Sequence, residues 1–522
     1  MKTKTSYARL ISLIVALGGF LMGFDASVIS GVIKFVSIEF DLNPGQHGFA
    51  VASLTLTSTI AMLFAGPLSD RFGRKKVLLT AASLFFVSAI YSALAPSYVH
   101  LVIARMIGGL GVGSALIVPP MYIAEIAPPK MRGRLVSFNQ LNIVIGLSVA
   151  FFTNYLILQW GSSNSPLAET LNVAENNWRW MLSLEAIPAI LYFSFLFLVP
   201  ESPRWLAAKG EGEKAVKILS KFEDEQKVKE QLSAIQEAIN KDTGKNKLPL
   251  KELFKPAMTF VLTVGIVISI LQQITGINAV FFYAPMIFEQ TGIGTDASFA
   301  NAIILGLTNL LFTIVAIMFV DRLGRKPLLT FGLAGIIISM AILTSSFKAA
   351  EYNLSTSAIE KLEMHENFNK FDKIKQLEGS SYKNDVEFKN AMNEIIDPQV
   401  VKEYEGDLIS AAITINSWLV LIGIIGFVAS FAVSLGPVMW ILFSELFPDK
   451  LRGLAISLVG VINSGVSFLV QQLFPVELSK IGSSGTFLIY GLFAVAGLIF
   501  VLIKLPETKG KSLEEIQSSL VG

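Results

Sequence analysis

Long apolar runs separated by polar loops dominate this chain of 522 residues. A helix needs about 20 apolar residues to cross the hydrocarbon core of a bilayer. No small-residue cleavage site follows the first run, so we expect a retained span and not a signal peptide. The pattern predicts an all-α membrane protein with twelve spans, near residues 9–33, 48–69, 77–95, 98–123, 135–158, 179–199, 257–288, 298–320, 327–347, 412–443, 453–474 and 485–504.

Two long polar stretches interrupt the apolar runs. We predict a six-span first half over residues 1–199, a cytoplasmic linker over 200–256 and a six-span second half over 257–504. An extracytoplasmic insert at 348–410 interrupts the second half, and a cytoplasmic tail follows at 505–522. Helical spacing of apolar residues predicts linker helices within 212–240. The capping pattern of SLEEI (512–516) predicts a helix start in the tail.

Basic residues are concentrated in the short loops on one side of the predicted spans. Such loops are cytoplasmic as a rule. We therefore expect a multi-pass protein of the plasma membrane, the inner membrane if the source is bacterial, with both termini cytoplasmic. Twelve Lys and Arg residues lie in four segments, DRFGRKK (70–76), PPKMRGR (128–134), DRLGRK (321–326) and DKLRG (449–453).

The basic loops also show that the chain repeats itself. The segment DRFGRKK at Asp70 recurs as DRLGRKP at Asp321. Glu125 precedes Arg132 by seven positions, and the same spacing recurs between Glu445 and Arg452. Two halves that carry the same motifs on the same side of the membrane indicate parallel repeats, as in several transporter folds.

The composition excludes several classes of function. Only 16% of the residues are charged and 52% are apolar, whereas soluble proteins carry about a quarter charged residues. The chain has no cysteine, and its three histidines are scattered, so we expect no metal site. The sequence contains no cofactor motif and no nucleophile–base pair that would indicate an enzyme. The net charge of +2 gives no sign of nucleic-acid binding.

Eight motifs occur in order through both halves of the chain, and only the insert lies clearly outside their pattern. They are GPLSDRFGRKK (66–76), RMIGGLGVG (105–113), YIAEIAPPKMRGR (122–134), PESPRWL (200–206), QQITGINAVFFY (272–283), DRLGRKP (321–327), GPVMWILFSELFP (436–448) and PETKG (506–510). This combination resembles the sugar porters of the major facilitator superfamily. The resemblance implies the major facilitator fold and movement of a monosaccharide by alternating access.

Polar amides stand inside the seventh predicted span, in the stretch QQITGINAVFFYAP (272–285). An amide offers donors and acceptors, which suits a sugar hydroxyl, whereas a charged substrate would require fixed opposite charges. Hydrogen bonding between helices is the alternative, and the residues alone leave both open. The resemblance implies a sugar site formed by Gln140, Gln272, Gln273, Asn278, Asn309, Phe431, Gly436, Trp440 and Asn463, with Trp440 as its apolar floor.

Helical phase predicts where two spans are interrupted. Gln272 and Asn278 lie about 120° apart on a straight helix, so both face one cavity only if the helix breaks between them. We expect that break at Thr275-Gly276 and a second one at Gly436-Pro437. Discontinuous helices near the midplane mark binding sites in transporters.

Three ionisable residues lie inside spans of the first half, namely Asp25, Arg105 and Glu185. A buried charge is costly in a membrane, so we expect the carboxylates to pair with Arg105. A static salt bridge is one interpretation, and a carboxylate that releases Arg105 on protonation is the other. The resemblance implies proton coupling, because proton-coupled members keep the aspartate and facilitative members typically have asparagine there.

The repeated basic loops imply an intracellular gate, closed when the transporter faces outward. Topogenic charge alone would explain their basic residues but not the matching Asp70 and Asp321. The residues of the expected gate are Asp70, Arg71, Arg74, Glu125, Arg132, Glu201, Arg204, Asp321, Arg322, Arg325, Glu445 and Arg452.

The sequence therefore predicts a proton-coupled importer of a neutral monosaccharide that works as a monomer in a lipid bilayer, without a cofactor. A facilitative uniporter is the main alternative. A non-transporting sugar receptor is less favoured, because the tail is short. The insert has no readable role, and we expect it to be dispensable for the transport chemistry.

Overall fold

A computed structural model of the protein describes residues 2–128, 131–222, 228–230, 232–233, 235–237, 250–448 and 451–509. These residues form α-helices throughout, apart from short 3₁₀ turns and one three-stranded sheet. The predicted tail helix at 512–516 and much of the predicted linker helices lie outside the described residues.

The described residues of the first part of the chain form ten helices, which we number α1 to α10. Five are long enough to cross a bilayer singly, and a sixth crossing is built from α7 and α8 together. The helices are α1 (Lys2–Glu39), α2 (Pro44–Phe72), α3 (Arg74–Ala93), α4 (Tyr98–Ile126), α5 (Arg132–Gly161), α6 (Pro166–Thr170), α7 (Asn177–Ser183), α8 (Ala186–Leu196), α9 (Pro203–Ala208) and α10 (Gly212–Leu219).

The second part begins after a 3₁₀ turn at Leu250–Phe254 and carries the sheet between its third and fourth crossings. Its elements are α11 (Pro256–Ile274), α12 (Ile277–Phe282), α13 (Ala284–Glu289), α14 (Thr295–Leu323), α15 (Arg325–Lys348), β1 (Glu351–Asn353), α16 (Thr356–Glu363), β2 (Ser381–Tyr382), α17 (Asp385–Ile395), α18 (Pro398–Glu403), α19 (Glu405–Ala412), β3 (Ile413–Thr414), α20 (Ser417–Val433), α21 (Leu435–Leu446) and α22 (Arg452–Lys504).

The described residues contain 11 candidate membrane spans, of which α22 is 53 residues long. Gly482 inside α22 has a φ of 70° and a ψ of 174°, so two helices meet there at a kink. Since each part is long enough to cross once, α22 supplies two spans. The twelve predicted spans and the all-α fold are confirmed.

The helices of the described spans are interrupted at several places. The predicted break at Thr275-Gly276 is confirmed, because Gly276 is left-handed with a φ of 91°. The predicted break at Gly436-Pro437 is wrong in position: the backbone leaves the helix at Ser434, with a φ of −124° and a ψ of −96°. Pro437 is accommodated in the first turn of α21, where its missing N–H leaves no helical bond unmade. A further break lies before Glu185, between α7 and α8, and was not predicted from the sequence.

The insert folds around its own apolar core. The predicted start of the tenth span at residue 412 is wrong, because α19 and β3 carry the insert on to Thr414 and α20 begins at Ser417. The strands lie in the order β2-β1-β3, and both pairs are antiparallel. The buried core includes Tyr352, Leu354, Phe371, Phe388, Met392 and Leu408.

Two compact units divide the described chain. Unit 1 comprises residues 1–27, 53–150 and 179–252, and unit 2 comprises residues 28–52, 151–178 and 253–522. Unit 1 has a buried core that includes Phe85, Val118, Tyr122 and Tyr192. Unit 2 contains the insert and also the end of α1 and the start of α2.

Candidate functional site

The amides of the seventh span meet an asparagine of α22 inside unit 2. Asn463 Nδ2 donates to Gln272 Oε1 at 2.7 Å and to the Ser269 carbonyl at 2.8 Å. Gln273 Nε2 donates to Asn463 Oδ1 at 3.1 Å and to Gln272 Oε1 at 3.2 Å. All three amide side chains are buried. Their sequence separation of about 190 residues explains why the sequence alone could not pair them.

Asn278 joins this group from beyond the helix break. Its Nδ2 donates to Gln273 Oε1 at 2.8 Å and to Ser467 Oγ at 2.6 Å. Ser467 Oγ also accepts from Gln471 Nε2 at 2.8 Å. Ser467 was missed by the sequence analysis, and its position four residues after Asn463, one turn along the same helix, is the signal that could have revealed it.

This arrangement requires a glycine at position 276, because the backbone there is left-handed and because a neighbouring side chain leaves no room for a Cβ atom. A Cβ built on it would lie 2.4 Å from Cδ2 of the Tyr490 ring. The break at Ser434 starts α21, whose first carbonyls lie beside the amides: Gln272 Nε2 donates to the carbonyls of Leu435 at 3.2 Å and Gly436 at 3.4 Å. The group thus combines amides with two backbone acceptors, which is the chemistry that recognises hydroxyls.

The structure brings only some of the predicted sugar-site residues into this cluster. The aromatic ring of Phe431 lies against Gly436, since a Cβ at Gly436 would be 3.4 Å from Cε1 of Phe431. Trp440 keeps 42% of its surface exposed and packs edge-on against Phe443 at 6.0 Å. Asn309 is buried on α14, outside the described hydrogen bonds of the cluster. Gln140 is exposed on α5 in unit 1.

A buried ion pair lies inside unit 1. Arg105 Nη1 donates to Asp25 Oδ1 at 2.6 Å and to the Asp25 carbonyl at 2.9 Å. Both side chains are only 1% exposed. The predicted pairing of these two residues is therefore present. Among the described residues, Asp25 Oδ2 and Arg105 Nε are buried without a hydrogen-bond partner.

Glu185 lies at the break between α7 and α8 and is 1% exposed. It interacts electrostatically with Asp25 and Arg105, and its Oε1 is buried without a hydrogen-bond partner in the described residues. Gly108 permits the close approach of α4 to Asp25, because a Cβ there would lie 2.6 Å from Asp25 Oδ2. The sequence analysis did not single out Gly108 from the glycine-rich motif RMIGGLGVG.

The first of the two repeated basic motifs is held together within unit 1. Arg74 Nε and Nη2 donate to the two carboxylate oxygens of Glu125 at 3.1 and 3.0 Å, a bidentate arrangement. Glu201 Oε1 accepts from the backbone N–H groups of Arg74 at 2.9 Å and Lys75 at 3.2 Å. A carboxylate at the first turn of α3 compensates its free N–H groups and its dipole.

The second motif repeats this arrangement within unit 2. Arg325 Nη2 donates to Glu445 Oε1 at 2.7 Å. Glu507 accepts from the backbone N–H groups of Arg325 and Lys326, both at 3.1 Å. Thr508 Oγ1 donates to Glu445 Oε2 at 2.7 Å, as the Ser202 hydroxyl does to Glu125. Glu507 was not among the predicted gate residues, although the likeness of PESPR to PETKG was its signal.

Backbone donors set the ionisation of Glu507. Burial alone would raise the pKa of this carboxyl, but the N–H groups of Lys509, Arg325 and Lys326 outweigh burial and lower the pKa below its usual value. Glu507 is therefore an anion at neutral pH, as its place at the first turn of α15 requires.

The other predicted gate residues have varied surroundings. Arg74 Nη1 also lies 2.9 Å from Asp70 Oδ1, and the Arg71 guanidinium lies 5.2 Å from the Phe72 ring. Arg452 Nε donates to the Phe447 carbonyl at 3.2 Å. Arg204 and Arg322 are exposed. The side chains of Arg132 and Asp321 lie outside the described residues.

The fold and these sites define a multi-pass membrane transport protein with the major facilitator fold. No group of His, Cys, Asp or Glu suited to a metal ion occurs in the part of the chain that is described. The chain belongs to the family described as "Sugar (and other) transporter", whose profile matches residues 11–360 and 405–520.

Two similar proteins are named as sugar-proton symporters. The chain is 34% identical over 511 residues to the arabinose-proton symporter of Bacillus subtilis, covering 98% of this chain and 94% of that protein. It is 33% identical over 546 residues to the D-xylose-proton symporter of Escherichia coli, covering 98% of this chain and 96% of that protein. The inward-open structure of the xylose transporter of E. coli matches with a TM-score of 0.74 at 32% identity, over 98% of this chain and 99% of that one.

Proposed function

We propose that this protein imports a neutral monosaccharide together with a proton by alternating access. The substrate is a pentose or hexose such as xylose, glucose or galactose, bound by the predicted sugar-site residues. The named relatives move arabinose or xylose with protons. The observation in this chain that carries the proposal is the buried group of Asp25, Arg105 and Glu185.

The charge count of this group favours proton binding. Two ionised carboxylates and one guanidinium would leave one uncompensated negative charge among side chains that are each only 1% exposed. Burial of an unpaired charge costs several kcal/mol, so a bound proton on one carboxyl is the less costly state. Within the described residues, Asp25 Oδ2 and Glu185 Oε1 are the two buried carboxylate oxygens without a hydrogen-bond partner, and each is able to carry the proton.

Coupling follows if the proton and the sugar favour the same conformational change. Protonation of Asp25 would weaken its charge-assisted bond to Arg105 and free Arg105 to turn towards Glu185. Sugar binding would exchange some amide–amide bonds of unit 2 for amide–hydroxyl bonds. When both ligands stabilise one conformation, each raises the occupancy of the other.

The test replaces Asp25 by asparagine, which mimics the protonated side chain permanently. We expect Asp25→Asn to bind sugar and exchange it in counterflow but to lose accumulation driven by a pH gradient. Asp372→Asn, an exposed change in the insert, is the matched control and should accumulate sugar normally. Undiminished accumulation by Asp25→Asn would exclude Asp25 as the coupling residue. A wild-type protein without proton dependence would favour the uniporter.

We further propose that the protein acts as a monomeric transporter and not as an enzyme, in a plasma membrane with both termini cytoplasmic. Residues 1–199 and 257–504 are the two moving halves, 200–256 links them in the cytoplasm, and the insert lies outside. The paired cytoplasmic motifs support this division, because each ties a basic loop to acidic residues of its own half. The cytoplasmic gate is the proposed role of these motifs.

A further inference from the structure

The insert is fastened to the second half of the chain at two places. Asp385 Oδ2 accepts from the Ser483 backbone N–H at 3.1 Å and from Ser483 Oγ at 3.0 Å. These bonds lie at the kink of α22, where a Cβ on Gly482 would stand 2.4 Å from Asp385 Oδ1. The insert is therefore anchored to the start of the twelfth span.

The second attachment is a partly buried ionic group beside the end of the seventh span. Lys389 Nζ pairs with Glu405 Oε1 at 2.5 Å and donates to Gln290 Oε1 at 3.2 Å, while Gln290 Nε2 donates to Glu405 at 3.1 Å. Burial would raise the pKa of Glu405, but Lys389 lowers it, so the pair is ionised. The three side chains join α17 and α19 of the insert to the residue that follows α13.

Lys402 of the insert contacts residues from the first half of the sequence, and both sides of this contact belong to unit 2. Lys402 Nζ on α18 donates to the Leu42 carbonyl at 2.6 Å and lies 3.4 Å from Asp41 Oδ1. Leu42 is in the turn between α1 and α2, where Asp41 has a positive φ of 44°. The ammonium therefore holds the turn that joins the first two spans.

Two further contacts join the end of α1 and the start of α2 to the second half of the sequence, and the first of them borders a cavity of about 90 Å³. Lys34 Nζ near the end of α1 lies 2.7 Å from Glu289 Oε1 and donates to Thr295 Oγ1 at 2.8 Å. Gln472 Nε2 on α22 donates to the Gly45 carbonyl at 2.8 Å. Lys34, His47, Glu289, Lys402 and Glu405 line the cavity. Lys402, Glu405, Gly406 and Ile409 form the insert side of this cavity.

We infer that the insert is an outer latch, in which Lys402 holds the α1–α2 turn and stabilises the state closed on the insert side. The inference rests on the proposed alternating access, in which the two halves of the sequence rock against each other. The insert moves with the second half and Leu42 with the first. Opening on this side must therefore break the Lys402–Leu42 bond.

Lys402, which forms the latch, lies outside the part of the chain that the family profile matches. The family profile matches residues 11–360 and 405–520, so the segment between them, which carries Asp385, Lys389 and Lys402, lies outside it. The latch gives the insert a part in the transport cycle, whereas the sequence alone predicts an insert that is dispensable for the transport chemistry. It leaves the sugar and proton sites unchanged, because the insert contributes no residue to them.

The test measures opening directly with a single reporter cysteine, since the chain has none of its own. Ile33 lines the cavity and is 1% exposed, so Ile33→Cys should react slowly with a membrane-impermeant maleimide added outside. Adding Lys402→Ala should raise the labelling rate on the order of tenfold, the equivalent of one hydrogen bond to a charged group. Lys402→Arg should restore slow labelling, because the guanidinium also donates.

Lys373→Ala is the matched control, since Lys373 is an exposed lysine of the same insert. Equal labelling rates in the Lys402→Ala and Lys373→Ala proteins would overturn the latch. A Met286→Cys reporter, on another element that lines the cavity, repeats the comparison in case Ile33→Cys disturbs folding. Sugar uptake measured in parallel separates the two proposals. If labelling rises in the Lys402→Ala protein but no sugar is taken up, the latch is supported and the proposed function is refuted. If sugar is taken up but labelling is unchanged, the function is supported and the latch is refuted.

Discussion

Gly108 faces the carboxylate of Asp25 so closely that no side chain fits between them. A Cβ on Gly108 would lie 2.6 Å from Asp25 Oδ2 and 2.5 Å from Ser88 Oγ. Both distances are far below van der Waals contact, so one of the groups must move if a methyl group is added. The helix α4 thus sets the position of the carboxylate that we propose as the proton carrier.

Gly108→Ala should therefore displace Asp25 from Arg105. We expect proton-driven accumulation to fall at least tenfold while sugar still binds, because the amide cluster lies in the other unit. Accumulation under a pH gradient and binding in detergent are the two measurements. Gly66→Ala is the control, since nothing lies within 4 Å of its Cβ position. Normal accumulation by Gly108→Ala would contradict a tight positional requirement on Asp25.

The amide cluster should determine sugar affinity. Gln272→Ala removes a hydrogen-bonded amide before the helix break, Asn278→Ala removes one after it, and Trp440→Ala removes an exposed apolar surface. We expect each to weaken binding by about tenfold to a hundredfold, the effect of one or two lost hydrogen bonds or a lost aromatic contact. Isothermal titration in detergent measures the affinity, and Gln399→Ala in the insert is the control. Unchanged affinity in all three variants would refute the site.

Gly276→Ala should damage the protein in two separable ways. An alanine at a φ of 91° is strained by roughly 1–2 kcal/mol, and its methyl group would also meet the Tyr490 ring at 2.4 Å. Gly379→Ala in the insert carries the backbone strain alone, because its φ is 80° and nothing lies within 4 Å. We expect a clearly lower melting temperature for Gly276→Ala than for Gly379→Ala. Equal melting temperatures would mean that the Tyr490 contact is readily relieved.

Glu507 should make the protein less stable in acid. Its folded pKa is lowered, so its contribution to stability is present above the pKa of the unfolded carboxyl and is lost as the pH falls through the folded value. Glu507→Gln lacks this contribution at every pH. Melting temperatures measured from neutral pH down to well below the usual glutamate pKa should therefore converge for wild type and variant only at the acid end, because the folded pKa is lower still. A constant difference across the range would contradict the ionic role of Glu507.

The sequence reveals much of this fold because apolar length and repeated motifs are local signals. The twelve spans, the doubled cytoplasmic motif and the break at Gly276 all follow from composition or helical phase. The pairing of Gln273 with Asn463 does not, since it depends on how distant helices pack. The break in the tenth span was predicted at Gly436-Pro437, because glycine and proline often interrupt helices. It lies at Ser434 instead, because proline fits into the first turn of a helix.

The role of Gly108 and the fold of the insert were also hidden in the sequence. Gly108 is one of four glycines in RMIGGLGVG, and only the position of Asp25 distinguishes it from the others. The insert has short helices whose apolar faces meet across long sequence separations. Its contact with Leu42 joins positions 360 residues apart, a relationship without any local pattern.

The pairing of β1 with β3 has a consequence for how this protein could change over evolution. Glu351 lies opposite Thr414 and Tyr352 opposite Ile413, so the two ends of the insert are hydrogen-bonded to each other. The ninth and tenth spans are thus joined as if by a tight hairpin, whatever the length of chain beyond the strands. Closing a longer loop adds little entropic cost once its ends are held. An insert closed in this way could be gained, lost or exchanged during evolution without moving any membrane span.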